Sequence, residues 1–167
     1  MKSYLLILTF FLFNFCFSQR VNLFVESWKP YCGGAKPTPE VERGIRTPFS
    51  GEKIAAFRRN YENSNPPVLV KWLELDEAGK WSGCLKPGVY EFYRSDKILS
   101  LDEIEKKYRL PDNENYAFVG VAKLNKWKTT PDYTIEIKKK TELKITLIEK
   151  CFVGLNPCME YIGPNPR

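Results

Sequence analysis

The sequence predicts a mainly β protein: an immunoglobulin-like or transthyretin-like sandwich of two sheets with one short inserted helix. Three observations carry that prediction. Short blocks of period-two alternation, rich in β-branched and aromatic residues, recur along the chain, and each is bounded by Gly, Pro, Asn or Asp. Eight such short blocks at this spacing favour a two-layer sandwich or barrel over an alternating α/β fold. The composition, 43% hydrophobic and 14% aromatic with 28% charged, gives 167 residues enough apolar surface for one real core.

The first 18 residues read as a removable leader rather than as part of that core. Lys2 precedes an apolar run from Tyr4 to Phe13, and Cys16, Phe17 and Ser18 put small residues where a signal peptidase reads, so cleavage is expected near Ser18–Gln19. A buried N-terminal helix is the bland alternative. A lipid anchor on Cys16 is disfavoured because Phe15 stands where a small residue is wanted. The run is shorter than the roughly 20 residues a spanning helix needs. The expectation is therefore one exported domain, residues 19–167, in the periplasm, the cell envelope or outside the cell, with no transmembrane segment.

Taken in order, strands are expected at 21–28, 53–58, 68–75, 80–85, 89–93, 116–124, 133–138 and 143–151. Between the first two lies a long loop, 30–50, with Pro30, Pro37, Pro39 and Pro48 beside Gly33, Gly34 and Gly44. A loop of that length is expected to be functional or pinned. Ser100, Leu101, Asp102 and Glu103 spell a capping box, with Leu101, Ile104 and Tyr108 at helical spacing before Pro111, which predicts the short helix at about 100–109. Lys138, Lys139 and Lys140 form a solvated turn, and the Pro-rich end from Gly163 has no regular structure.

Without the leader, Cys32, Cys84, Cys151 and Cys158 remain. An even number of thiols in an exported chain reads as disulfides, with three pairings open. The short gap holding Gly154 and Pro157 favours Cys151 with Cys158, which leaves Cys32 with Cys84. On chain-entropy grounds these would contribute about 2.5 and about 4 kcal/mol. A metal site is a poor alternative, since the sequence has 0 histidines and the cysteines lack C-x-x-C spacing.

The most specific local pattern is Asp76, Glu77, Ala78, Gly79, Lys80 and Trp81, followed by Leu85, Lys86, Pro87, Gly88, Val89 and Tyr90. Read physically, it is a hairpin with Gly79 at positive φ, Trp81 and Leu85 on one strand face, and a type II turn at Pro87 and Gly88. This stretch, roughly 68–95, resembles the carboxypeptidase regulatory-like domain, a transthyretin-like sandwich. The wider arrangement is similar to small exported bacterial proteins in Cys32 to Ala35, in Trp127 followed by Pro131 and Asp132, and in the run from Cys151 through Cys158 to Tyr161 and Pro164. The resemblance implies a fold and no active-site residues, because that module is not the catalytic part of the enzymes it accompanies. The long loop, the helix and the extra strands depart from the plain module.

The lack of histidine excludes Ser-His-Asp and Cys-His catalysis, and the expectation is a non-enzyme without cofactor. The alternative is a histidine-free hydrolase of envelope or extracellular glycans using carboxylates such as Glu74, Asp76 and Glu91, although solvated faces explain those side chains. Asp76 and Glu77, or Asp112 and Glu114, lack the spacing of a calcium loop. The net charge of +6, one less without Lys2, is spread along the chain, which argues against a nucleic-acid partner and leaves some attraction to an anionic surface. Aromatics are the remaining resource. Trp72 and Trp81 are expected in the core, whereas Trp28, Tyr31 and Trp127 adjoin loops and are the candidate binding surface for an envelope protein or glycan.

Overall fold

The computed structural model describes residues 19–34, 36–60 and 66–164; the expected leader lies outside the described residues. Strand β1 (Gln19–Lys29) buries Val21, Leu23 and Val25 on one face, as its alternation requires. It pairs in parallel with β9 (Thr141–Ile148) on one side. On the other side it pairs antiparallel with β5 (Lys80–Leu85) along its first half and with β2 (Ile45–Pro48) at its end. The second sheet runs β4-β3-β6-β8, from β4 (Val68–Glu74) through β3 (Lys53–Arg59) and β6 (Gly88–Arg94) to β8 (Tyr133–Ile137). Ile54, Leu73, Phe92 and Ile137 of this sheet meet Leu23, Leu85, Ile145 and Leu147 of the first in one continuous core. The chain is thus a two-sheet β-sandwich.

The hairpin turn forms as its residues require. Gly79 takes φ 69°, and Asp76 Oδ1 accepts hydrogen bonds from the amides of Ala78 (2.9 Å) and Lys80 (2.7 Å). The flanking strands nevertheless join different sheets, so the turn is a corner between layers rather than the tip of a paired hairpin. Gly88 opens β6 at φ 150°, not the +80° or so of a type II turn; the Tyr90 hydroxyl, donating to Lys86 O at 2.7 Å, holds that bend. Trp81 packs against the core, but Trp72 does not. Because Leu73 points inward, Trp72 faces outward on an edge strand and is 39% exposed, which corrects the expectation of burial.

A second, smaller layer covers one end of the sandwich. After a 3₁₀ turn (Ser95–Ile98), α2 (Leu101–Tyr108) starts on the expected capping box, with Ser100 and Glu103 bonded reciprocally. The strand expected at 116–124 is instead β7 (Tyr116–Phe118), which pairs with β10 (Met159–Tyr161), followed by α3 (Val121–Thr129). Gly120, at φ 85°, breaks the strand, and Val121, Leu124 and Trp127 recur at helical spacing. Ile104, Leu124, Cys158 and Met159 are its buried centre. The loop at 30–50 also holds structure: one turn of helix, α1 (Pro39–Glu42), and β2.

The outer face of the β4-β3-β6-β8 sheet corrects one carboxylate. Glu91 is buried rather than solvated, paired with Arg59 and accepting from the Tyr93 hydroxyl at 3.0 Å. Burial first, then that contact with Glu91, pushes the Tyr93 phenol up from 10 to about 12. A phenol whose folded value is raised favours the folded state while neutral, so this stabilisation is complete below pH 10 and lost as pH climbs through about 12. Urea-unfolding midpoints are therefore expected to fall across that window, with burial-shifted Tyr90 and Tyr108 contributing to the slope. Tyr93→Phe should flatten it, and an unchanged slope in that variant would refute the assignment.

Candidate docking groove

The site is built where β1 leaves the sandwich. Its last turn is fastened by the Trp28 indole, which donates to Arg43 O at 2.9 Å, and Glu149 N donates to Trp28 O at 2.9 Å. Gly44, at φ 68°, passes close over the Trp28 indole and Lys29 O, where a Cβ would collide. Beyond Lys29 the chain reaches Cys32, which is bonded to Cys151 with Cα atoms 5.5 Å apart. This replaces the expected pairs. Cys84 and Cys158 are free thiols, exposed and buried respectively.

The geometry explains the difference. Cys84 lies opposite Arg20 at the start of β1, while Cys32 follows its end, roughly 30 Å of extended strand away. Cys158 is only a few residues from Cys151, but it is turned into the helical layer, its Sγ 3.6 Å from Ile104 O and its thiol pushed up by burial. Cys151 belongs instead to a turn closed by reciprocal bonds between Lys150 and Gly154, each 2.9 Å. A disulfide of this kind fits an oxidising compartment.

At the head of that turn stands Phe152, at φ 67°, the positive-φ residue other than glycine among those described. Its ring lies 4.3 Å from that of Tyr161 and remains 44% exposed. On one side it walls a hollow of about 650 Å³ with Tyr31, Cys32, Val41 and Ile45. Val41 and Ile45 are 47% and 65% exposed, so the hollow is open and largely aliphatic. On the other side Phe152 borders a hollow of about 690 Å³ with Lys150, Cys151 and Glu160. Lys150 and Glu160 in turn line a third, of about 530 Å³, with Arg94, Lys97, Lys123 and Trp127. The three hollows are neighbours around the disulfide: Cys32 and Phe152 line the first two, and Lys150 and Glu160 the last two, and together they make the candidate groove.

The three aromatics expected at the surface have unequal parts in it. Tyr31 lines the apolar hollow. Trp28 stands behind the groove, half-buried, with Arg46 6.0 Å from its ring. Trp127 lines the far hollow, yet it packs into the second core, with Arg94 and Lys97 5.3 and 5.1 Å from the ring centre. It is a buttress for cations rather than an open stacking platform. Phe152, Val41, Ile45 and Lys150 escape the sequence reading. A cysteine next to an aromatic was the available signal, but nothing in the sequence marks the backbone of Phe152.

The chemistry of the groove divides along its length. At the far end Lys97 is 4% exposed and bonded to Asp132 (2.8 Å) and Thr130 O (2.8 Å), and Arg94 is held by both oxygens of Asp96. Lys150 Nζ donates to Met159 O at 2.6 Å, and burial lowers its pKa, opposed by the nearby Glu160 carboxylate and assisted by the cations Arg94 and Lys123. Among the described residues no group of three histidine, cysteine or acidic side chains gathers as metal ligands. No helix among them is long and apolar enough to cross a membrane. The carboxylates considered for hydrolysis have separate structural partners: Glu74 binds Lys53 (2.7 Å), Asp76 the corner turn and Glu91 Arg59.

No protein-family model matches the chain, and no curated protein matches it. Among solved structures it is similar to a mutant of the shaft pilin SpaA from Lactobacillus rhamnosus GG, with 10% identity over 80% of this chain and 52% of that one, at a TM-score of 0.41. The N-terminal domain of the same pilin matches with 8% identity over 78% of this chain and 92% of that one, at 0.37. A DUF3823 family protein from Parabacteroides merdae ATCC 43184 matches with 14% identity over 78% of this chain and 46% of that one, at 0.29. The chain spans about half the length of the first of these structures.

Proposed function

We propose that residues 19–167 form one exported, non-catalytic binding module of the cell envelope, carboxypeptidase regulatory-like in kind, and that residues 1–18 are its removable leader. The observation that carries this reading is Phe152. Holding a phenylalanine in the left-handed region costs on the order of 1–2 kcal/mol, and here that cost displays an exposed ring beside Tyr31, Val41 and Ile45 on a turn stapled by a disulfide. Apolar surface so placed is suited to the side chains of a protein partner. A glycan is less well served, because the ring of Trp127 is engaged by Arg94 and Lys97.

The test separates display from stability. Phe152→Gly relieves the backbone and forfeits a ring contact worth about 0.5–1.5 kcal/mol, so its stability should stay within about 1 kcal/mol of the parent. A photo-crosslinker at Ile45 should join the protein to a discrete envelope partner, and Phe152→Gly should abolish the adduct. Equal labelling from a crosslinker at Val121, outside the groove, would refute the reading.

A further inference from the structure

We infer that the segment docking in this groove is acidic: an aliphatic or aromatic anchor in the hollow of Tyr31 and Ile45, with carboxylates lying over Lys150 and Lys123. The inference rests on the docking reading above and names the chemistry of the partner. Four cations, Arg94, Lys97, Lys123 and Lys150, line the far hollow against two carboxylates, Asp132 and Glu160. Arg94 and Lys97 are committed to Asp96 and Asp132 in buried pairs. The other two are differently placed. Lys123 meets Glu160 at 3.0 Å in an exposed pair, 67% and 40% accessible, of the kind that contributes little and exchanges readily. Lys150 has one hydrogen bond, to a carbonyl, and among the described residues no carboxylate lies within ion-pair distance of it.

Besides Asp132, which holds Lys97, the far hollow offers Lys150 and Lys123 one carboxylate between them, that of Glu160, and an incoming carboxylate supplies the missing negative charge. Lys150 also stands at the junction, lining the far hollow and the middle one, which Phe152 borders as well. A single extended segment therefore meets apolar and cationic surface in succession. The lipid alternative, an anionic membrane, would not need the apolar hollow beyond Phe152.

The probes are capped, fluorescent short peptides carrying one phenylalanine flanked by glutamates, glutamines or lysines, titrated into the mature protein with amide NMR shifts as the map. The glutamate peptide should shift residues of the 150–154 turn and bind about ten-fold tighter than the glutamine peptide at low salt, the gap closing as salt rises. Lys150→Met and, independently, the surface change Lys123→Gln should each narrow that gap while leaving the glutamine peptide unaffected. Glutamate and glutamine peptides binding the groove equally would overturn the acidic partner and leave docking standing. Shifts produced by phosphatidylglycerol vesicles and by no peptide would replace the peptide with a membrane surface. Silence from every probe would remove the docking reading as well.

Discussion

Replacing Cys32 and Cys151 together with serine is expected to cost about 5 kcal/mol. The bridge closes a loop spanning 119 residues, nearly the whole described domain, and the chain entropy withheld from the unfolded state grows with that length. Domains commonly have 5–15 kcal/mol in total, so the loss should lower the melting temperature by about 10–20 °C or unfold the protein outright. Cys84→Ser, an exposed change on β5, should cost little. The pairing can be read directly: digestion without reductant should yield a peptide joining Cys32 to Cys151, alkylation should label Cys84 in the folded protein, and Cys158 should react after unfolding. A fragment linking Cys151 to Cys158, or a loss in Cys84→Ser as large as in the double variant, would overturn the assignment. The proposed docking should depend on the same bond, because it ties the segment of Tyr31 and Cys32 to the turn that carries Phe152.

What the sequence could say about this protein follows from how local each determinant is. Alternation of Val21, Leu23 and Val25, or of Leu143, Ile145 and Leu147, is a property of neighbouring residues, and the sandwich follows from it. The capping box before α2 is equally local. By contrast, β2 and β10 are four and three residues long and exist because β1 and β7 offer them an edge. α3 was masked by the apparent alternation of Ala117, Val119 and Val121, which Gly120 interrupts. Spacing favoured the nearest cysteine for Cys151, but direction decides disulfides, and the direction of a side chain is set by the fold. The groove is least legible of all. Tyr31 was visible as an aromatic in a pinned loop, whereas Phe152 and Lys150 acquire their roles from a strained turn and from neighbours distant in sequence.

Asp132→Ala should be the most damaging single change at a charged residue, costing about 3–5 kcal/mol. Its two oxygens do different work: Oδ2 accepts from the amide of Arg94 at 2.7 Å and Oδ1 from the Lys97 ammonium at 2.8 Å. Without it, Lys97 remains 4% exposed with Thr130 O as its remaining acceptor, and an uncompensated buried charge is what makes such truncations severe. Asp132→Asn keeps an acceptor and loses the charge, so an intermediate loss is expected. Lys97→Met removes the ammonium and keeps its stem against Trp127. The pair Asp132→Ala with Lys97→Met should accordingly lose at least about 2 kcal/mol less than the sum of the single changes in a urea-denaturation cycle. Strict additivity would show that the ion pair is not the source of the loss. Because Lys97 and Arg94 brace the ring of Trp127, Asp132→Ala should also loosen the cationic end of the groove.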